Sequence, residues 1–274
     1  MELYNIYFSP TGTSAKVASS VAEGLETAIV CHRIERNITN DESAILRLSD
    51  SDILIMAAPV YGGKMSPLAK ARMESIKGND TPCVLIAVYG NRAFENAISD
   101  MAEFARSKGF RPVAAGAFVG EHSYSTAEYP IASGRPDTKD LEDARLFGKQ
   151  VGDKIVSGNL SEIDASGLHD EPSPESSLLN FRNFVMEYQM QQKAAPVKLL
   201  PEVDESRCVG CGECRTVCPS GAIGEDCLSL DASKCIKCCA CVKICPEAAR
   251  TLHSPFAPVL SANFSQRKTP VWIL

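Results

Sequence analysis

Short apolar runs alternate with longer segments of helical period over the first 160 residues. The runs with strand character are residues 2–8, 28–34, 52–60, 83–90 and 112–120. The segments that repeat apolar residues at helical spacing are 13–27, 67–76, 93–108 and 138–156. Strands such as "ILIMAAPV" are apolar on both faces, so helices must cover both sides of their sheet. The pattern predicts an α/β fold, a doubly wound five-stranded parallel sheet, over residues 1–160.

The pattern changes after residue 160. Residues 161–200 are rich in Ser, Pro and acidic side chains, and we predict a linker there with one short helix near 181–191. A compact cysteine-rich module follows over 201–256. The tail, 257–274, predicts no firm structure, although its Trp272 is the only tryptophan and is expected to anchor it.

Composition narrows the class of protein. At 274 residues the chain is long enough for more than one core. Its net charge of -6 argues against nucleic acid or an anionic membrane as the main partner, because both attract basic patches. The start lacks a basic and apolar leader, and the longest apolar stretch is far shorter than the roughly 20 residues that span a bilayer. We therefore expect a cytoplasmic protein whose partners are redox proteins or small molecules.

Ten of the twelve cysteines lie between Cys208 and Cys245. In a reducing compartment such a cluster indicates a metal site rather than disulfides. Segments 204–223 and 231–250 align without a gap, and each contains C-x2-C-x2-C-x3-C-P. This is the bacterial iron–sulfur run, in which the fourth cysteine binds the other cluster. The predicted ligands of one [4Fe–4S] cluster are Cys208, Cys211, Cys214 and Cys245. Those of the second are Cys235, Cys238, Cys241 and Cys218.

Two further cysteines of this module fall outside the frame. Cys239 and Cys227 are expected to pack as small apolar residues. Structural zinc is the alternative, since paired C-x2-C motifs also bind zinc. Two complete copies with a crossing fourth cysteine do not fit a four-ligand zinc site, and this part of the chain resembles the bacterial two-[4Fe–4S] ferredoxins.

A hydroxyl-rich turn, "SPTGTS", separates the first predicted strand from the first helix. Ligands of doubly wound sheets bind at the carboxyl ends of the strands, and a helix N-terminus favours phosphate. Neither a Walker loop nor a G-x-G-x-x-G fingerprint is present, so a monophosphate is expected. The alternative is that these side chains only cap the helix. The candidate phosphate ligands are Ser9, Thr11, Gly12, Thr13 and Ser14.

Two glycine-bearing loops follow the third and fourth predicted strands and carry Tyr61 and Tyr89. Such loops offer apolar cover and backbone amides to a planar ring with polar edges. With these loops, the first half resembles the flavodoxin-like FMN-binding fold. The resemblance implies that the turn above binds the FMN phosphate. It also implies that the ring is flanked by Pro59, Val60, Tyr61, Gly62, Gly63, Tyr89, Gly90, Asn91 and Arg92.

The chain as a whole resembles fused flavodoxin-like and two-[4Fe–4S] ferredoxin proteins of anaerobic microbes. This resemblance implies FMN and two [4Fe–4S] clusters in one electron-transfer protein, with a ferredoxin-like protein or a reductase as donor or acceptor. The alternative is a flavin-dependent reductase of a quinone, an enone or oxygen, for which His122 is the one weak acid–base candidate. A third reading, a non-redox sensor, would lack labile iron and sulfide.

Smaller hypotheses concern single side chains. A cation at Arg92 should favour the more negative, reduced flavin and raise its potential relative to flavodoxins, unless the side chain only faces solvent. Cys31 and Cys83 lie in predicted strands and are expected in the core.

Overall fold

The chain divides into two units that interleave along the sequence. The computed structural model describes residues 1–41 and 45–274. The sheet unit comprises Met1–Glu121, Gly134–Glu171 and Lys268–Leu274, and the cysteine unit comprises His122–Ser133 and Pro172–Arg267. This division differs from the predicted boundaries at 160, 200 and 256, which stay predictions. Sequence periodicity follows chain order, so it does not reveal segments that leave one unit and return to it later.

The sheet unit is built on six main strands. They are β1 (Glu2–Tyr7), β2 (His32–Asn37), β3 (Ile53–Tyr61), β4 (Thr81–Tyr89), β5 (Phe110–Val119) and β6 (Val271–Ile273). Their order is β6-β5-β4-β3-β1-β2. Strands β1 to β5 are parallel, and β6 is antiparallel to β5. The parallel strands follow the order 2-1-3-4-5, which places a ligand-binding switch point between β1 and β3.

The sheet has seven strands rather than the predicted five. The seventh, Lys64–Met65, pairs back on β3. A separate two-stranded ladder joins Leu46–Arg47 to Ile76–Lys77. The strand β6 was missed because three residues are too few to show an alternating pattern.

Helices cover both faces of the sheet. They are α1 (Thr13–Glu26), α2 (Pro67–Arg72), α3 (Ala97–Ser107) and α4 (Thr138–Val156), with a 3-10 turn at Ala165–Gly167. Ile55 joins the core beneath α1 and α4, and its neighbour Met56, which points to the opposite face, is also buried. Helices α1 and α4 cross closely at Gly148, where a Cβ would lie 2.0 Å from the Val21 carbonyl oxygen.

Strand β2 begins later than predicted, at His32 instead of residue 28. It is an edge strand with no fully buried residue, so its sequence lacks the apolar run that marks the central strands. Cys31 therefore lies just outside the strand and is only partly buried. Cys83 lies in β4 and is fully buried, as expected.

The predicted linker and tail contain more structure than expected. Helix α5 spans Glu175–Ala194, much longer than the predicted 181–191, and none of its residues is fully buried. Without a buried stripe, the helix has only a weak periodic signal. Helix α8 spans Phe256–Asn263, and its first residue packs edge-on against the rings of Phe184 and Tyr188. Strand β6 carries Trp272, whose ring lies 5.8 Å from that of Phe147.

The rest of the cysteine unit consists of short elements. Helices α6 (Glu213–Thr216) and α7 (Ala240–Ile244) occupy equivalent places in the two repeats. The strands Glu202–Val203 and Arg250–Thr251 pair antiparallel. Ile131, from the segment between β5 and α4, is buried against Leu260 and Phe264. Across the described part of the chain, no helix combines the length and apolar character needed to cross a bilayer.

Candidate cofactor sites

The phosphate loop, residues 9–14, joins β1 to α1. Gly12 has φ of 83° and is the N-cap of α1, without a capping side chain. No acidic residue occupies the first helical turn, so the free helix amides face no competing negative charge. Ser14 is 1% exposed, and its hydroxyl has no hydrogen-bond partner among the described residues. A buried hydroxyl beside free amides fits a phosphate group.

The other phosphate-loop residues were predicted either to bind phosphate or only to cap the helix. The Ser9 hydroxyl accepts a hydrogen bond from the Ala15 amide at 3.0 Å, so it does cap the helix. The Ser9 amide donates to the Thr39 hydroxyl at 2.7 Å, which fixes the loop to the end of β2. Thr11 and Thr13 are partly buried. Among the described residues of the loop, Ser9 therefore caps the helix, which is the role that the alternative hypothesis gave to all of them.

The hairpin loop, residues 59–63, turns β3 back on itself. Val60 pairs with Met65 and Tyr61 with Lys64. Gly62 and Gly63 connect these pairs and have φ of 58° and 76°. Both values are left-handed, and they form the tight turn of the hairpin. A Cβ on Gly63 would lie 2.1 Å from a Glu95 carboxylate oxygen. The hairpin loop therefore lies directly against the loop that follows β4, and Pro59, Val60 and Tyr61 remain partly open at this edge.

The 90s loop, residues 89–95, follows β4. Tyr89 is buried and packs edge-on against Phe94, with ring centroids 5.5 Å apart. Burial, reinforced by the Asp170 carboxylate, raises the pKa of the Tyr89 hydroxyl well above its ordinary value. Asn91 is buried with φ of 66°, and the Gly90 carbonyl accepts a hydrogen bond from the Arg92 amide at 2.8 Å.

Arg92 does not simply face solvent. Its Nη2 lies 2.5 Å from Glu95 Oε1, and the side chain as a whole is 25% exposed. The cation predicted to raise the flavin potential is thus paired with a carboxylate of the same loop. Two opposite charges at this distance largely cancel at longer range, so the effect of Arg92 on the potential is smaller than an unpaired cation would produce.

Two residues that sequence reasoning missed hold the 90s loop. The Asp170 carboxylate accepts the amides of Phe94 and Glu95 at 2.8 and 3.0 Å. Lys268 Nζ donates to the carbonyls of Arg92 and Glu171 at 2.7 and 2.9 Å. Lys268 is 6% exposed, and its burial lowers the pKa of the ammonium. Neither residue belongs to a recognisable motif, so no local signal indicated this role.

The eight predicted cluster ligands gather around two separate cavities of the cysteine unit. The cysteines of site I are Cys208, Cys211, Cys214 and Cys245, with Cys227 beside them. Site II is a second small cavity. Its cysteines are Cys218, Cys235, Cys238 and Cys241, with Cys239 beside them.

The two repeats fold in the same way around these sites. Asp204 and Asp231 each accept hydrogen bonds from the Ser two residues later, through its amide and its hydroxyl. The Ala222 amide donates to Cys218 Sγ at 3.3 Å, and the equivalent Ala249 amide donates to Cys245 Sγ at 3.2 Å. Amides that point at these sulfurs stabilise thiolates, and thiolates bind iron.

Burial opposes charge on several of these thiols. It raises the pKa of Cys238 to about 11 and that of Cys241 to about 12. Desolvation also acts on Cys245, but amides of Arg250, Ala249 and Glu247 outweigh it and lower that pKa. Buried thiolates need a compensating cation. Four thiolates are also the ligand set of a structural zinc ion, so their number does not decide between zinc and iron. Within 1–41 and 45–274 no three His, Cys, Asp or Glu side chains form a single-ion site, and the repeated C-x2-C-x2-C-x3-C-P run is that of [4Fe–4S] clusters.

Cys227 and Cys239, the two cysteines of the module outside the motif, are buried, as expected. Both adopt left-handed backbone, with φ of 59° at Cys227 and 60° at Cys239. His122 belongs to the cysteine unit rather than to the sheet unit that carries the three loops. Its Nδ1 accepts the Tyr124 amide at 3.0 Å, so its role in acid–base chemistry stays a prediction.

Two family models each match part of the chain. Residues 5–129 match the family model described as a flavodoxin domain. Residues 201–224 and 228–251 match the model described as a 4Fe-4S binding domain. These matches confirm the predicted flavodoxin-like α/β fold and the ferredoxin-type repeats. They support an iron–sulfur flavoprotein in electron transfer. The comparison with curated proteins found no match.

Several solved structures resemble part of the chain. A flavodoxin from the domain Archaea is 17% identical, covers 57% of this chain and 99% of its own, and has a TM-score of 0.37. An azoreductase from Bacillus anthracis is 10% identical, with coverages of 55% and 99% and a TM-score of 0.40. An NAD(P)H:quinone oxidoreductase from Methanothermobacter marburgensis is 12% identical, with coverages of 57% and 98% and a TM-score of 0.35.

Proposed function

Because the chain joins a flavodoxin domain to a pair of 4Fe–4S motifs, we propose that it passes electrons between two [4Fe–4S] clusters and FMN within one polypeptide. The observation that carries this proposal is the sorting of eight motif cysteines into two sets of four, each around its own cavity. Bound clusters would supply one-electron carriers, and FMN would supply a centre that exchanges one or two electrons.

The residues of the chain have distinct roles in this proposal. In the cysteine unit the four thiols of each site bind iron, and the amides of Ala222 and Ala249 orient the sulfurs of the two crossing cysteines. In the sheet unit the α1 amides and the Ser14 hydroxyl bind the FMN phosphate. The hairpin loop and the 90s loop flank the ring, and the buried Tyr89 and Phe94 keep water away from the base of the 90s loop.

A redox protein is the proposed partner, since a one-electron cluster matches a one-electron donor or acceptor. The alternative, direct reduction of a quinone, an enone or oxygen at the flavin, requires a proton donor beside the ring. His122, the candidate for that role, has its Nδ1 engaged by the Tyr124 amide. This hydrogen bond leaves the proton on Nε2 and does not decide between the two functions. The two sets of four cysteines favour the carrier function, and a cytoplasmic location stays a prediction.

The test is an anaerobic titration of the reconstituted protein. NADH, NADPH and a reduced ferredoxin are offered in turn while the flavin and cluster absorption bands are followed. We expect only the ferredoxin to reduce the flavin. Direct reduction by a nicotinamide would contradict the carrier function and would indicate an enzyme with a pyridine-nucleotide site.

A ligand variant tests whether the electrons pass through the clusters. Cys211 is the exposed member of site I, so Cys211→Ala disturbs packing least. The expected result is loss of site I iron together with loss of flavin reduction by ferredoxin, while FMN content and photochemical flavin reduction stay normal. Cys31→Ala, which removes a partly buried cysteine outside the motifs, is the matched control. Unchanged flavin reduction in a Cys211→Ala protein that lacks the site I cluster would contradict the proposed route.

A further inference from the structure

Arg250 places a cation in the interior of the cysteine unit. The residue is 2% exposed. Its Nη2 donates to the Cys227 carbonyl at 2.5 Å, but Nε and Nη1 have no partner among the described residues. Burying a guanidinium with two unsatisfied nitrogens is unfavourable unless an anion lies nearby. No carboxylate among the described residues pairs with this guanidinium.

Another arginine of the chain shows how a buried guanidinium is usually compensated. Arg135 is almost as deeply buried, in the sheet unit, and its guanidinium forms a bidentate pair with Asp140, at 2.8 Å for Nε. Bidentate pairing with a carboxylate is the arrangement that compensates a buried guanidinium. For Arg250, by contrast, one backbone carbonyl is the only hydrogen-bond partner in the described part of the chain.

The surroundings of Arg250 indicate where its anion would lie. Arg250 lines the cavity of site I together with the four cysteines of that site. Its backbone amide and its positive charge both act to lower the pKa of the Cys245 thiol of site I. Its charge also acts in the same direction on Cys241 of site II, but Arg250 does not line that cavity. A [4Fe–4S] core with four thiolates is an anion, and it becomes more negative by one charge when it accepts an electron.

Among the described residues, no cation lines the cavity of site II. In the gapless alignment of the repeats, Arg250 corresponds to Ile223. Ile223 is 4% exposed and lines the cavity of site II, which Arg250 does not line. The pseudo-twofold arrangement therefore places a buried cation against one site and a buried hydrocarbon side chain against the other.

We propose that Arg250 makes the two sites unequal by stabilising the reduced cluster at site I, so that the first electron resides there. The proposal rests on the proposed function, because it requires clusters at both sites. The redox step is the transfer of one electron from an external reductant to the cluster, with no bond formed or broken and no proton transferred. Arg250 is a positioning residue for charge and not a ligand.

The test is a potentiometric titration of the holoprotein with dithionite, followed by electron paramagnetic resonance. Arg250→Gln removes the charge and keeps a donor for the Cys227 carbonyl, Arg250→Met removes both, and Arg250→Lys keeps the charge. Ile223→Leu is the matched control at the equivalent position. Cys211→Ser, which changes a site I ligand, identifies the midpoint that belongs to site I.

The expected result is a shift mainly in the midpoint potential of site I. At a fixed potential the ratio of reduced to oxidised site I should fall about tenfold in Arg250→Gln and Arg250→Met, which corresponds to about 59 mV for a one-electron couple. Site II should shift less, and Arg250→Lys and Ile223→Leu should shift little. Equal shifts at both sites, or no shift, in protein with full iron and sulfide would overturn the proposal.

Two further outcomes distinguish a failure of the Arg250 proposal from a failure of the proposed function. Loss of the site I cluster in Arg250→Gln and Arg250→Met but not in Arg250→Lys supports a role of the charge in holding the anion, whereas equal loss in all three overturns it in favour of a role in packing. Absence of clusters from the wild-type protein would instead contradict the proposed function itself. Iron and acid-labile sulfide analysis distinguishes these cases.

Discussion

The 90s loop depends on a carboxylate from a distant part of the chain. Asp170 accepts hydrogen bonds from the amides of Phe94 and Glu95, at 2.8 and 3.0 Å. Asp170→Ala removes both acceptors, so the partly buried Phe94 amide loses its partner and the exposed Glu95 amide turns to water. If the 90s loop flanks the FMN ring, as we propose, this substitution should weaken FMN binding without touching the ring itself.

The size of the effect follows from the two hydrogen bonds. A hydrogen bond to a charged group contributes about 1.5–3 kcal/mol. The bond from Phe94 is partly buried, whereas the bond from Glu95 is exposed and water replaces it at small cost. Together they contribute about 2 kcal/mol to the order of the loop. Since about 1.4 kcal/mol is a factor of ten, the Kd for FMN should rise about 30-fold.

The assay is a titration of the apo-protein with FMN, read from the quenching of flavin fluorescence. Asp170→Asn keeps one carbonyl oxygen for the Phe94 amide, so its Kd should rise only about fivefold. Asp164→Ala is the matched control, because the Asp164 carboxylate accepts hydrogen bonds only from nearby Ser166 in the structure. A Kd for Asp170→Ala within about twofold of wild type would refute the reasoning, and so would an equal rise in Asp164→Ala.

Three further predictions test other contacts of the sheet unit. Arg92→Ala should lower the flavin midpoint potential and Glu95→Gln should raise it, because each leaves the opposite charge unpaired; anaerobic titrations that move both in one direction would contradict this. Trp272→Ala should reduce the free energy of unfolding in urea by about 2–3 kcal/mol through lost ring packing, and Trp272→Phe by less than about 1; equal losses would show that packing is not the cause. Gly148→Ala should lower the free energy of unfolding by about 2 kcal/mol or more in the same assay, since the new Cβ would lie 2.0 Å from the Val21 oxygen. An unchanged free energy of unfolding would mean that α1 and α4 separate freely.

The grouping of the cysteines was open to prediction because iron–sulfur chemistry constrains the sequence locally. Three ligands must reach one cluster from a short loop, and that requirement fixes the spacing of Cys208, Cys211 and Cys214. The phosphate loop is similar, because a helix N-terminus and its hydroxyls come from consecutive residues. In both cases the residues that form the site are neighbours in the chain.

The supports of the 90s loop could not be predicted, because they come from far along the sequence. Asp170 lies 76 residues from Phe94, and Lys268 lies 176 residues from Arg92. Each is a single polar residue in a segment without periodicity, and a single charge in such a segment normally indicates exposure. Only the return of 268–274 to the sheet unit brings Lys268 to this edge.

The positions at which the two repeats differ give different information from the positions that they share. The shared positions of the two copies predict that each site binds the same kind of cluster. The differing positions are numerous, and from the sequence alone Ile223 against Arg250 is no more notable than Val209 against Ile236. Burial distinguishes them, because a charge exchanged for a hydrocarbon side chain inside a protein changes the local potential far more than a similar exchange in water. The two clusters should therefore be chemically alike in their ligands and different in their affinity for an electron.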